Sequence, residues 1–362
     1  MKKELILEKL SEFSCESLKE MIDLYAKHIS IDEQTEKNEN KFFILPKHVE
    51  DELKNNGFKK NNTEIIKKLP TVFTKPDLYG KELVSRANTI WKENICGLEN
   101  VFTAIVPHLL EYSNTMHTNP ILMVGEPGCG KTTVAKLYAR MLGLKQHFIN
   151  APRCIRGRGL SGESGSFQNA SYGELVEGVL TTHSPNPVFI IDEIDKLKTF
   201  HGHGGEVADE MLALLDRSAS EFKDNYLGLT LNFSFSPFIL TANYIDEISP
   251  PLIDRCDVIH FPTNEKEGIF NILENIVVPR ELNRYNNMVA INNEILKKMV
   301  DTLYKMGVTG IRAYERTIVK MINLGIMEGL EQEEVYNITE RELKTALSDI
   351  NDRKCITIGF AG

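Results

Sequence analysis

The chain has 362 residues, of which 42 are Lys or Arg and 51 are Asp or Glu, for a formal charge of −9. That length allows two or three domains, each with its own core, and the acidic balance argues against a protein that coats nucleic acid by charge alone. No apolar run approaches the roughly 20 residues of a membrane-spanning helix. Glu4, Glu8 and Lys9 interrupt any leader-like core, and six cysteines without a C-x-x-C pair give neither a disulfide framework nor a zinc knuckle. The expected class is a cytoplasmic multidomain protein with no membrane contact.

Residues 1–30 carry Leu5, Ile6, Leu10, Phe13, Leu18, Met21, Ile22, Tyr25 and Ile29 at near-helical spacing. A polar stretch from Asp32 to Lys41 reads as a linker, a short helix is expected within Phe42 to Phe58, and Pro70 breaks the pattern. Acidic and basic residues balance over 1–90, so this region is no basic arm. It is expected to be helical, with residues 1–30 either a partner-binding helix or one that packs on its own domain; the sequence assigns it no role.

From about Thr89 short apolar runs alternate with helix-length amphipathic stretches. The runs Ile121–Val124, His147–Ile149, Val188–Ile191, Phe238–Leu240 and Val258–Phe261 suit parallel strands buried on both faces. After Pro262 the strand signals cease, and 265–277, 292–306 and 311–330 read as helices, with Asn292 or Asn293 capping the second. The layout is a helical region (1–90), an α/β domain (91–262), a small helical domain (263–350) and a tail (351–362).

The strongest chemical signal is Gly125-Glu126-Pro127-Gly128-Cys129-Gly130-Lys131-Thr132, with Thr133 following. It fits G-x-x-x-x-G-K-[ST] between the apolar run ILMV and the helical run VAKLYARML. Glycines there let backbone N–H groups turn towards phosphate oxygens, and the next helix offers its positive end. Lys131 is placed to reach the outer phosphates of ATP, and the Thr132 hydroxyl to ligate Mg²⁺. In Val188-Phe-Ile-Ile-Asp192-Glu193 two carboxylates emerge from the end of a buried strand. Asp192 is suited to hold Mg²⁺ and Glu193 to polarise the attacking water, which points to hydrolysis rather than mere nucleotide holding.

Four more segments, NPVFIIDEIDKL, FILTANY, ISPPLIDRCDVIHF and TGIRAYERTI, follow in an order and spacing that resembles the AAA+ ATPases. Their wording looks most like the ATPase module of the Lon proteases, from near Ile95 to about Gly329. The resemblance implies a P-loop AAA+ fold, a five-stranded parallel sheet between helices followed by a small helical lid. It also implies assembly of copies into a ring, usually a hexamer, with ATP between subunits. By the same resemblance Asn243 matches the sensor that holds water near the γ-phosphate. Arg255 matches the arginine finger offered to a neighbouring subunit, and Arg312 matches the second sensor, on the lid. The segment 162–173 matches a pore-facing loop, with Phe167 at the family's aromatic position and Tyr172 as a rival; Gln168-Asn169 replaces the family's Val-Gly there.

The expected activity is that of a Mg-ATP-driven motor that remodels, unfolds or disassembles proteins. No hydrolase nucleophile motif is present, so it is read as Lon-like without being itself a protease. Two alternatives stand beside this. Arg153, Arg156 and Arg158 form a small basic cluster that could place the same motor on nucleic acid, the weaker candidate partner, and a nucleotide-controlled scaffold is the other. His201 and His203, on a Gly-rich loop without cysteine, read as a loop rather than a metal site.

Overall fold

A computed structural model describes residues 60–70, 72–155, 158–163, 170–199, 203–329 and 335–357 of the chain. The helices expected within 1–30 and 42–58, and Phe167, lie outside the described residues. No helix among the described residues is long and apolar enough to cross a membrane. The chain divides into two compact units.

The first unit comprises residues up to Trp91, Glu99–Gly125 and Lys131–Phe261. Its centre is a sheet of five parallel strands: β1 (Ile121–Val124), β2 (Gln146–Asn150), β3 (Val188–Asp192), β6 (Phe238–Ala242) and β7 (Asp257–His260), in the order β2-β3-β6-β1-β7. This is the five-stranded parallel arrangement between helices that the resemblance implies. Helices such as Lys131–Leu142 and Glu174–Thr182 connect the strands, as parallel neighbours require. The inner strands β1 and β6 are buried along their whole length, which is why their sequences are continuous apolar runs. Edge strand β2 is mixed instead, with Gln146 and Phe148 exposed. Because β1 lies between β6 and β7, the loops that leave the ends of β1, β3 and β6 emerge together at the carboxyl edge.

Two features of this unit escaped the sequence pattern. An antiparallel hairpin, β4 (Phe222–Asp224) and β5 (Leu229–Leu231), precedes β6. The described part of 60–90 also packs into the same core as β3: Ile66, Leu69 and Phe73 join Phe189 and Ile191. Asn186, fully buried, fixes that approach by accepting from the Thr74 N–H and donating to the Thr74 carbonyl, both at 2.8 Å.

The second unit comprises Lys92–Leu98, the loop Glu126–Gly130 and the residues from Pro262 onward. Its helices span Lys266–Ile272, Val278–Arg284, Asn293–Lys305, Ile311–Gly329 and Glu340–Thr357. The helix expected to stop at 277 passes through a π turn at Leu273–Val277 and runs on to Arg284. Asn292 caps the next helix, its side chain accepting from the Ile295 N–H at 2.8 Å. Strands do not cease after Pro262: β8 (Val289–Ala290) and β9 (Tyr336–Asn337) form a short parallel pair. The core is apolar, with Met299, Leu303, Tyr314, Ile318 and Met321 at its centre.

Candidate active site

Lys131 opens a helix immediately after the glycine loop and is buried, at 7% exposure. A buried ammonium needs acceptors. Its Nζ donates to the Gly125 carbonyl at 2.5 Å and to Asn243 Oδ1 at 3.1 Å. The lysine expected to bind phosphate and the expected sensor are therefore in direct contact, one opening the helix that follows β1 and its loop, the other just past β6. Thr133 is exposed and Thr132 half-buried. The Thr132 hydroxyl donates to Asp192 Oδ1 at 3.4 Å.

Thr241, in β6 and 1% exposed, was not singled out in the sequence. Its hydroxyl donates to the same Asp192 oxygen and accepts from the Glu193 N–H at 3.3 Å. Glu193 leaves β3 in the left-handed region, with φ at +62°. For a residue with a side chain that conformation costs on the order of 1–3 kcal/mol and persists where its surroundings over-determine it. The Glu193 carboxylate is engaged on both oxygens. Lys196, one turn on, pairs with Oε1, and the Asn150 side-chain amide at the end of β2 donates to Oε2 at 3.5 Å. The signal for Lys196 was present in the spacing of DEIDK. Asn150 and Thr241 could be found only from strand register.

A hydroxyl and a carboxylate that converge on one spot are hard oxygen donors. Few in number, they leave room for water and phosphate oxygens, a set that fits Mg²⁺. Among the described residues no group of three or more His, Cys, Asp and Glu suits any other metal. The loop that carries His201 lies outside the described residues, as does the side chain of His203.

Within the second unit the glycine loop is held by the start of the helix Ile311–Gly329. The Ile311 N–H donates to the Gly128 carbonyl at 3.2 Å, and the Thr309 hydroxyl to Glu126 Oε2 at 2.9 Å. Gly128 has φ of +85°, and a methyl added to it would stand 3.0 Å from Gly310 Cα. A methyl on Gly310 would stand 2.6 Å from the Pro127 carbonyl oxygen. Only two glycines allow this approach. Pro127 is exposed, Cys129 is buried within the loop, and Gly130 follows at φ of +105°. Arg312 is exposed on the first turn of the same helix.

Arg255 is folded onto its own unit. Its Nη1 donates to the Pro251 carbonyl at 2.9 Å and its Nη2 lies 3.7 Å from Asp216. Nearby, Asp257 accepts from the Asn119 side-chain amide at 3.1 Å.

The segment from Gly162 to Gly173 is gripped at its neck. Glu210 accepts from the Leu160 N–H at 2.8 Å and from the Ser161 hydroxyl. Asp224, 1% exposed in the β4–β5 hairpin, accepts from the Gly173 N–H at 2.9 Å and from the Leu227 N–H at 2.8 Å. Burial pushes the Asp224 carboxyl up while those N–H donors hold it down. Tyr172 sits at this neck, half-buried, its ring under the Arg158 guanidinium and 6.4 Å from the ring of Tyr226. Arg158 pairs with Glu174 at 3.3 Å and Glu177 at 3.1 Å, so this member of the basic cluster is neutralised within its own chain. Arg153 is exposed, and Arg156 lies outside the described residues.

Comparison with known proteins agrees with this geometry. Residues 121–263 match the family described as ATPase family associated with various cellular activities (AAA). The chain is similar to a Lon protease of Dictyoglomus thermophilum, 31% identical over 261 residues, covering 70% of this chain and 32% of that protein. It is 28% identical over 315 residues to a Lon protease of Clostridioides difficile, covering 81% of this chain and 39% of that one. A Lon protease of Flavobacterium johnsoniae matches at 26% over 350 residues, 94% of this chain and 42% of that one. The chain thus spans about a third to two fifths of the length of these curated relatives.

Proposed function

We propose, from the match of residues 121–263 to the AAA ATPase family and the similarity to Lon proteases, a Mg-ATP-hydrolysing ring motor that works on protein substrates. The observation that carries the reading is the convergence of Lys131, Asn243, Thr132, Asp192 and Glu193 at the carboxyl ends of β1, β3 and β6.

In this reading the N–H groups of Gly128, Gly130 and Lys131 and the Lys131 ammonium cradle the β- and γ-phosphates of ATP. Thr132 and Asp192 hold Mg²⁺, which when bound supplies charge neutralisation on the phosphate oxygens. Glu193 accepts a proton from water while Asn243 orients that water. The water oxygen bonds to the γ-phosphorus as the bond to the bridging oxygen breaks, leaving ADP and phosphate. Arg255, released from Pro251 and Asp216, reaches the ATP of a neighbouring copy, and Arg312 responds to the γ-phosphate from the lid.

Protein is the favoured track because the relatives are named as proteases, and the resemblance in sequence, which matches Phe167 to the aromatic position of a pore loop, supports it. The nucleic-acid reading loses ground with Arg158 spent on Glu174 and Glu177. The test is solution mass together with ATP turnover, with and without casein or single-stranded DNA. The account expects a ring-sized assembly whose turnover rises with casein. A monomer whose turnover responds to DNA alone contradicts it.

A further inference from the structure

We infer that Thr241 is a positioning residue that sets both acidic groups of the site with one buried hydroxyl, an inference that rests on the ATPase reading above. A hydroxyl has one hydrogen to donate and lone pairs to accept with. Here the hydrogen goes to Asp192 Oδ1, the oxygen that also receives the Thr132 hydroxyl. A lone pair takes the Glu193 N–H at 3.3 Å.

The second bond carries particular weight because of where Glu193 sits. Its φ of +62° departs from the strand conformation that ends at Asp192. With its N–H anchored on β6, the backbone of Glu193 is fixed at the point where the chain turns out of the sheet. Thr241 itself has little freedom. It lies in fully buried β6, in register with Met123 of β1, while β6 pairs on its other side with β3. An element with neighbours on both sides holds a hydroxyl more rigidly than a loop would, and a functional group supported in this way is pre-organised. In this role Thr241 acts through Asp192, the proposed magnesium ligand, and through Glu193, the proposed base.

The variant Thr241→Val keeps the shape and removes the hydroxyl, and Thr241→Ser keeps the hydroxyl. Two readouts are paired. The first is the affinity for Mn²⁺ in the presence of a non-hydrolysable ATP analogue, read from the paramagnetic resonance of free Mn²⁺. The second is steady-state phosphate release with Mg-ATP. Thr241→Val is expected to weaken Mn²⁺ binding and to lower kcat, each by roughly 10–100-fold. The KM for ATP should stay within a few-fold, the variant should still unfold cooperatively, and Thr241→Ser should restore most of both losses. Mn²⁺ affinity and kcat within twofold of the parent protein would overturn the inference. A parent protein that binds Mn²⁺ and the analogue but releases no phosphate defeats the hydrolysis reading instead, and the Mn²⁺ affinities of the two variants then decide on Thr241.

Discussion

The Lys131 ammonium and the Asn243 side chain are hydrogen-bonded at 3.1 Å, across 112 residues of sequence. The lysine proposed to bind phosphate is thereby held by the side chain proposed to orient the attacking water. Removal of Asn243 takes away one acceptor of that ammonium and keeps the Gly125 carbonyl. Asn243→Ala is expected to lower kcat on the order of 100-fold, the scale of losing one pre-organised polar group, with a KM for ATP changed only a few-fold. Steady-state kinetics separates the two, and a raised KM with an unchanged kcat would assign Asn243 to ground-state binding instead.

Gly310→Ala tests the close approach inside the second unit. The added methyl would meet the Pro127 carbonyl oxygen at 2.6 Å, so loop or helix start must give way. A cost of about 1–3 kcal/mol is expected from such overpacking, together with weaker nucleotide binding. Denaturant unfolding and nucleotide titration report the two effects. Parent-like stability in Gly310→Ala would show that the loop yields freely.

Much of this architecture was legible because the buried strands leave no choice of residue. Ile121–Val124 and Val188–Ile191 face helices on both sides and read as unbroken apolar runs. The glycine loop was legible for a related reason, since backbone approach to phosphate demands glycine at fixed spacing. The hairpin Phe222–Leu231 was not, because its three-residue strands are too short to show a period. Its purpose arises from tertiary contacts such as that of Asp224 with Gly173. Thr241 and Asn150 were hidden for a different reason. A threonine in a buried strand is unremarkable until register sets it beside two carboxylates. The helix Glu340–Thr357 carries a weaker signal, since only Leu343, Ala346 and Leu347 of its first turns meet the core, and it runs past residue 350, where a tail is expected.

Arg255 and Asp216 form an exposed pair, their side chains 34% and 53% accessible. Such a pair contributes under about 1 kcal/mol, so Asp216→Ala should leave the melting temperature nearly unchanged. It should leave turnover equal or raised several-fold, since the guanidinium is released towards a neighbour. Arg255→Ala should bind nucleotide and lose on the order of 1,000-fold in turnover. Normal hydrolysis by Arg255→Ala would remove the finger assignment.

Glu174 gives the neck of the 162–173 segment a pH dependence. His147, whose Nε2 lies 3.6 Å away, and then Arg158 at 3.3 Å hold the Glu174 carboxyl below its ordinary value of 4.5, against the opposing effect of burial. A carboxyl depressed by folding adds stability above its unfolded value and loses it as pH falls through the folded one. Thermal stability should therefore fall below about pH 4.5 in the parent protein. Glu174→Gln should be less stable at neutral pH and flatter in that acid range. An identical acid slope in both proteins would show that Glu174 is not the group concerned.

The central claim is that Glu193 serves as the base in hydrolysis of Mg-ATP. Phosphate release at saturating Mg-ATP, for the parent protein and Glu193→Gln with nucleotide binding measured in parallel, tests it most directly. The account predicts steady turnover by the parent, and a Glu193→Gln protein that binds ATP as tightly while releasing phosphate at least about 100-fold more slowly. A parent protein that binds ATP without releasing phosphate, or a Glu193→Gln protein that turns over at the parent rate, would contradict it.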